Sequence, residues 1–567
     1  MTAALRLRWR GPRLPAWPPT RSTLLTLAAV LTLAVPFAVI IVRFLADTRH
    51  VYLPDDLALI DLHVRDAIHW HQQLGPFDRF GWSHPGAAYF YLLSIPARVL
   101  GAGARADFVG ATLINALSAL SVVWIVRRRS GPVAALWAAL CLGLLAFVLA
   151  STNPGAITFS EGPLGALVSP WNPDVVIFPL VLFGVLCAAG ASGSVLSLLG
   201  AALLGSFVIQ TNFATLGLVV VLLGLALVAA VVRNLRARRS SPGPGPLWRS
   251  VPAPWVLVAG LALLVLIWVP PVLQQLGNHP GNLTLIWRFF TAHHTPLSFG
   301  VGLWSVVTVD GILAFGVPTE MTPFELGDPR HHAAVVLAVV LSLGVAAIAV
   351  GLRRRRQLGA DLGVVSLIGL VVAVFSVTRI VGLVFGYLVI WEIAVPVLGL
   401  IGLGVAVLGT SHAPAPAEAP QQAGWWRRLP AATLVALAGL VTAALSLEMV
   451  HLPSLQRASD PDVAAAWKEV GAHLRPGDKP VFVGDQGTPL LGVFTFFGLI
   501  NELDARGYEP RVNAFWPNQV GTIRLSKGGE PVGIVLYPPS PSVESMPGYI
   551  GHTTYADIVL TRPAPSS

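Results

Sequence analysis

LPDDLALIDLHVRDAIHWHQQLGPFDRFGWSHPGAAYFY, residues 53–91, is a polar island between apolar runs, and its setting decides how the rest of the chain is read. Upstream, a basic tail (Arg6, Arg8, Arg10, Arg13, Arg21) leads into an apolar run from Thr23 to about Phe44. About 20 apolar residues cross a bilayer as a helix. No small-residue cleavage site follows, so the run reads as an uncleaved signal-anchor helix. Downstream, 85–99 is short and holds Pro96, so it is expected to lie on the membrane surface as an amphipathic helix. The next full-length run is 106–126, ending in Arg127, Arg128 and Arg129.

Apolar runs of this length recur over the first 450 positions. The chain of 567 residues is 54% hydrophobic and 11% charged, with a mean hydropathy of +0.70. A soluble protein carries about 25% charged residues, so a soluble enzyme is excluded. The net charge of +9 is almost all Arg; Lys occurs at Lys468, Lys479 and Lys527. This bias, with abundant Ala, Val, Leu and Gly, suggests a GC-rich bacterial genome. The Arg residues sit in short clusters between apolar runs, a pattern that sets topology and does not indicate nucleic-acid binding. Cys141 and Cys187 lie in apolar segments and form no metal or disulfide framework.

The positive-inside rule places the N-terminal tail, Arg127–Arg129, Arg233–Arg239, Arg353–Arg356 and Arg427 with Arg428 in the cytoplasm. Eleven spans satisfy this: about 23–45, 106–126, 132–150, 174–190, 193–210, 213–232, 253–270, 332–352, 361–378, 383–408 and 430–449. The weakly apolar stretch 297–316, with Asp310, is expected not to cross fully. The predicted organisation is a cytoplasmic tail 1–22, a polytopic α-helical membrane domain 23–449 with large outer loops 46–105 and 271–331, and an extracytoplasmic domain 450–567. SPGPGP (241–246) and HAPAPAEAPQQ (412–422) read as cytoplasmic linkers. The C-terminal part is polar with an α/β rhythm: helices over 461–474 and 491–506, strands over 480–484, 532–537 and 557–561. VFVGDQG (481–487) is a strand and glycine turn; acceptor or glycan binding and a structural cap both fit it.

In the island, Leu57, Ile60, Val64, Ala67 and Ile68 share one helical face, and Asp61, Arg65 and His69 another. The order of features resembles the GT-C glycosyltransferases. That superfamily includes protein O-mannosyltransferases, aminoarabinose transferases and mycobacterial arabinofuranosyltransferases. The features are Asp55-Asp56 after the first helix, His84-Pro85-Gly86-Ala87-Ala88-Tyr89-Phe90-Tyr91 opening a surface helix, and a second span ending in Arg127–Arg129. Trp171-Asn172-Pro173, Gln210-Thr211-Asn212 and Trp268-Val269-Pro270-Pro271 with Pro280-Gly281-Asn282 continue the likeness to the bacterial RgtA/B/C/D-like group. The family pair is often Asp-Glu, and Lys-Pro-Pro often stands where this chain has His-Pro-Gly.

The resemblance implies a GT-C-like fold and a plasma-membrane enzyme that moves a sugar from a polyprenyl-phosphate donor to an extracytoplasmic cell-envelope acceptor, glycan or lipid. It implies an outer-loop carboxylate as general base, Asp55 first and Asp56 second. The alternative is that both cap the helix starting near Leu57. Asp78, Arg79 and His84 are candidates for holding sugar, though a local ion pair explains the first two equally. Trp171 and Asn172 are candidates for stacking on and hydrogen-bonding a sugar, against an interfacial Trp with a capping Asn. Arg379, at the end of its span, is the candidate for gripping phosphate, against a snorkelling side chain. Glu392 stands inside an apolar run, where a carboxylate marks a site by default; an interhelical pair with Arg379 or a Tyr hydroxyl is the alternative. Some superfamily members use a divalent ion, but His69, His71 and His84 with Asp61 or Asp78 form no zinc spacing, so a cofactor stays open. A lipid-linked sugar flippase or a non-catalytic scaffold is the rival reading; the first would require repeats and broken helices that the sequence does not display.

Overall fold

The computed structural model describes residues 20–151, 164–240, 252–315, 332–410, 430–483, 490–513 and 517–562. The N-terminal arginines before Arg21, both Pro-rich linkers, Arg427, Arg428 and the glycine turn at 484–487 lie outside the described residues. Among those described, ten helices are long and apolar enough to cross a membrane: Arg21–Ala46, Ala104–Ser130, Pro132–Ser151, Asn172–Ala191, Phe213–Arg239, Pro254–Gly277, Ala333–Arg353, Gln357–Thr378, Gly386–Leu408 and Ala431–His451. Val195–Thr211 completes the expected eleven but has 17 residues, about 25 Å at 1.5 Å per residue. It is therefore shorter than a bilayer core.

Three Arg clusters fall at one end of the bundle. Arg127 donates to Ser22 and Thr26 at the start of the first helix. Arg233 grips Asp361 with two hydrogen bonds, at 2.7 and 2.5 Å, and Arg354 reaches the carbonyl of Val407. At the other end Arg43 donates to the carbonyls of Met449 and Leu452, tying the first span to the last. The helix Phe299–Phe315 does not run between these ends. The amide of Leu297, just before it, donates to the carbonyl of Thr378, and the Phe315 ring lies 4.5 Å from that of His332. Thr378 closes one span and His332 opens another running the opposite way, so both ends of this helix sit at the same level and it lies across the bundle.

Small residues set the closest helix contacts, as expected where lipid removes the hydrophobic drive. Gly359 lies against the backbone of Ala406, where an added Cβ would come within 2.6 Å of the amide nitrogen. Backbone cannot rotate away, so Gly359→Leu is expected to destabilise the bundle by about 1–3 kcal/mol or more. The check is the fraction of purified protein still monodisperse after a heating series.

The helix expected over 85–99 forms as Ala88–Leu100, with Tyr89, Phe90, Leu93 and Ala97 buried and Leu92, Ile95 and Val99 exposed. The acid pair opens the helix Asp55–Ile68, whose N-cap is Pro54 without a side-chain cap bond. The two Asp thus occupy the first turn. There they also favour the positive end of the helix dipole.

The C-terminal domain is a five-stranded mixed sheet, β1 (Pro480–Val483), β2 (Arg511–Val512), β3 (Val532–Tyr537), β4 (Tyr549–His552) and β5 (Asp557–Thr561), in the order β2-β1-β3-β5-β4. β1 runs parallel to β2 and β3; β5 is antiparallel to β3 and β4. The helix Leu490–Ala505 packs one side on this sheet, Phe496 against Phe482 with ring centroids 5.0 Å apart. Its other side packs on Asp55–Ile68, with Asn501 donating to Asp61 at 2.9 Å. Arg524 locks the two together: it holds Asp66 with two 2.7 Å hydrogen bonds and reaches Asp504 at 3.1 Å. Both ends of the Arg524–Asp66 pair are buried. Burial disfavours charge on Asp66, but His63 and the Arg524 guanidinium beside it overcome that and hold the carboxyl below its ordinary range.

Candidate active site

A cavity of about 680 Å³ opens at the end of the bundle away from the Arg clusters. The nine residues proposed from the sequence as catalytic or substrate-binding line it: Asp55, Asp56, Asp78, Arg79, His84, Trp171, Asn172, Arg379 and Glu392. They come from five segments far apart in sequence, brought together by the helix ends.

Asp56 Oδ2 accepts a 2.8 Å hydrogen bond from the indole nitrogen of Trp171, whose ring lies 5.1 Å from that of Tyr387. Burial, with the neighbouring Asp55 charge, pushes the Asp56 carboxyl up to about 7 despite that bond. Asp55 carries a backbone φ of +46°. This is left-handed geometry that Asp tolerates better than most residues and that concentrates at functional sites.

The 77–84 segment is a tight loop. Phe77 bridges Ser83, Asp78 N donates to the carbonyl of Trp82, and Phe80 N donates to Asp78 Oδ1 at 2.9 Å. Burial lifts the Asp78 carboxyl to about 6, against the pull of the Phe80 amide and Arg79. The Asp78–Arg79 ion pair, the alternative to a sugar-holding role, is not among the ion pairs of the described residues. Arg79 donates instead to the carbonyl of Val381 at 2.9 Å and lies over the rings of Phe80 and Phe385. That contact ties the outer loop to the segment following Arg379. The Arg379 guanidinium is exposed and, among the described residues, makes no hydrogen bond or ion pair.

His84 serves the architecture. Its Nδ1 accepts from Phe213 N at 3.0 Å and its Nε2 meets the Asn172 amide at 3.2 Å. Burial pushes the imidazole down to about 3, so it is neutral. The Asn172 Nδ2 donates to the Thr211 carbonyl. His84-Pro85-Gly86 therefore joins the outer loop to the Trp171-Asn172-Pro173 and Gln210-Thr211-Asn212 turns. Gly86 is needed here: a Cβ would meet the Gln210 side chain, whose Oε1 accepts from Ala88 N at 3.2 Å.

Glu392 is fully buried at the cavity wall, and neither of its carboxylate oxygens has a partner among the described residues. The pair expected with Arg379 or a Tyr hydroxyl is absent there. Asp61 faces away and binds Arg65 at 2.7 Å and Asn501. His69 and His71 line a separate pocket beside Arg511 and Arg524. Among the described residues no group of three His, Cys, Asp or Glu side chains is placed to hold a metal ion. Sequence reasoning missed Phe213, Phe289, Phe290 and Tyr387, and the tail residues Phe497 and Gln519, all lining the cavity. Tyr387 sits five residues before Glu392 and was findable; nothing in the sequence pointed to Gln519.

No protein-family profile and no curated protein matches the chain in sequence. Solved structures do match in shape. The crystal structure of ArnT from Cupriavidus metallidurans bound to undecaprenyl phosphate superposes with a TM-score of 0.52 over 94% of this chain and 97% of that one, at 15% identity. The chain has the GT-C fold. An oligosaccharyltransferase from Archaeoglobus fulgidus, in complex with zinc and sulfate, also aligns, with a TM-score of 0.39 and 12% identity over 92% of this chain and 68% of that one. In GT-C terms, the acid pair follows the first span, and the cavity lies between the helical bundle and the C-terminal domain.

Proposed function

We propose that this protein is a membrane glycosyltransferase that takes a sugar from a polyprenyl-phosphate donor and passes it to a hydroxyl of a cell-envelope acceptor outside the cytoplasm. The observation that carries this reading is one cavity at a membrane-helix end that holds both an acid pair, with Asp56 pushed up to about 7, and an Arg379 that is unpaired among the described residues. The GT-C fold supports it, as does undecaprenyl phosphate in the ArnT structure. The Arg clusters at the opposite bundle end are those the positive-inside rule assigns to the cytoplasm.

The reaction is a single inverting displacement. The acceptor oxygen attacks the anomeric carbon, its proton passes to Asp56 Oδ1, and the bond to the lipid phosphate breaks with its electron pair staying on phosphate. Asp56 is the better base of the pair, reversing the order expected from sequence. Its Oδ2 is fixed by Trp171, and a carboxyl near 7 is matched to work at neutral pH. Asp55 supplies part of the field that raises it. Arg379, with Arg79 beside it, faces the departing phosphate, where a guanidinium forms charge-assisted bonds.

The test is transfer of labelled sugar from polyprenyl-phosphate mannose, glucose and arabinofuranose in membranes carrying the protein. Label moving off lipid into a product is expected. Label that stays on lipid with every donor overturns the reading, and label that crosses the bilayer still lipid-bound favours a flippase. The base must be ionised to act, so the transfer rate is expected to rise with pH through a midpoint near 7 and level off above about 8. Asp55→Asn should move that midpoint to lower pH, because it removes a charge that disfavours ionisation of Asp56. A flat profile from pH 5.5 to 8.5 would exclude Asp56 as the base.

A further inference from the structure

We infer that the C-terminal domain completes the active site with a carbohydrate-recognition element, in which the Gln519 side-chain amide hydrogen-bonds a hydroxyl of a sugar acceptor. The inference rests on the transferase reading for the word acceptor, but its geometry is independent of it.

Gln519 belongs to the short helix Pro517–Val520 and lines the same cavity as Asp55 and Asp56, together with Phe497. Its position is fixed by its backbone: the Gln519 carbonyl accepts from His63 Nε2 at 2.9 Å. His63 lies on the acid-pair helix. Asp56, Leu59 and His63 are spaced i, i+3, i+7 and so share one helical face, and Leu59 also lines the cavity. Asp56 and His63 are separated by about two turns, roughly 10 Å along the axis. The Gln519 backbone is thus anchored on the acid pair's own face of the helix, about two turns from Asp56, and the residue lines the same cavity.

Two further observations define the ligand. The Gln519 Oε1 is buried and has no partner among the described residues. Such a carbonyl costs stability until a donor reaches it. The walls also differ in charge. Arg79 and Arg379 stand on the loop and helix-end side, joined through Val381. Among the described residues, the C-terminal domain contributes to the cavity one neutral amide and one aromatic ring. Phosphate belongs on the first side. A primary amide, donor and acceptor at once, suits neutral hydroxyls, and a ring such as Phe497 suits the apolar face of a sugar.

The test uses purified full-length protein in detergent and methyl glycosides of arabinofuranose, mannose and galactose, with binding read by saturation-transfer NMR. The wild type is expected to bind at least one glycoside, and Gln519→Leu to weaken it about tenfold or more, with unchanged elution on size exclusion. Should the Leu variant fail to fold, the isosteric Gln519→Glu is read instead and is expected to weaken the same glycoside. No glycoside binding by the wild type, or equal binding by the variant, overturns the inference. Where transfer is observed, acceptor KM should rise with donor KM unchanged; an equal rise in both overturns the acceptor assignment. Gln519-dependent binding without transfer from any donor would sink the transferase reading and leave this one standing.

Discussion

Replacing Asp55 and Asp56 together by Asn is expected to abolish the proposed sugar transfer while leaving the protein folded and still able to bind a polyprenyl-phosphate donor. A positioned general base contributes about 10²–10⁴-fold, and with both carboxylates gone no other acidic side chain in the cavity is equivalently placed. Asp78 is bound by the Phe80 amide within its own loop, and Glu392 lies buried in the wall. Asn keeps the shape of Asp and can still accept from Trp171, so the loss would be one of chemistry. Single-turnover transfer from pre-bound donor is the measurement. Full activity in the double variant would remove the acid pair from the mechanism and return attention to Asp78. Asp56→Asn alone should account for most of the loss, since Asp55 acts mainly through the charge it places beside its neighbour.

Arg524→Ala should release the C-terminal domain from the acid-pair helix. Removing one partner of a buried, bidentate ion pair strands the other charge, at a cost of about 3–5 kcal/mol. Here the stranded group is Asp66, with Asp504 also losing a partner. The variant is expected to show a lowered thermal midpoint and early trypsin cleavage between the last span and the sheet. Asp66→Leu combined with Arg524→Met should recover much of the loss, because no buried charge is left unpaired. Two additive losses would mean the pair is not the lock. The sign with pH is fixed by the depressed Asp66 carboxyl. Its stabilising contribution is present above the ordinary Asp value near 4 and is lost as pH falls through the lower value it has in the folded protein. Docking should therefore weaken in strong acid and not in base.

The spans were legible because a bilayer forces long apolar helices, and the helix ends followed from Arg placement. The C-terminal strands at 480–483, 532–537 and 557–561 were legible from short apolar runs. β2 was not, being two residues held by its neighbours, nor was β4, which pairs through a register shift. In the site, Asp55, Asp56, Trp171 and Asn172 could be singled out because unusual polar residues at membrane-helix ends are conspicuous against apolar runs. Their roles could not be separated. Only the fold puts the Trp171 indole on Asp56 and turns His84 inward as a neutral brace. Arg79 looked paired with its neighbour Asp78, yet its partner is 302 residues away at Val381. Gln519 was invisible because a lone amide in a polar domain carries no pattern; only docking brings it to the cavity.

The lock between Arg524 and Asp66 joins residues 458 positions apart. A chain emerging from the ribosome presents its acid pair with the first loop, yet the cavity's last wall, Phe497 and Gln519, arrives only when the final domain has folded. A truncated chain would hold its carboxylates in an open trough that lacks the wall formed by Phe497 and Gln519. On the proposed reading, the centre is therefore complete only in a finished molecule, because both the first loop and the final domain line its cavity.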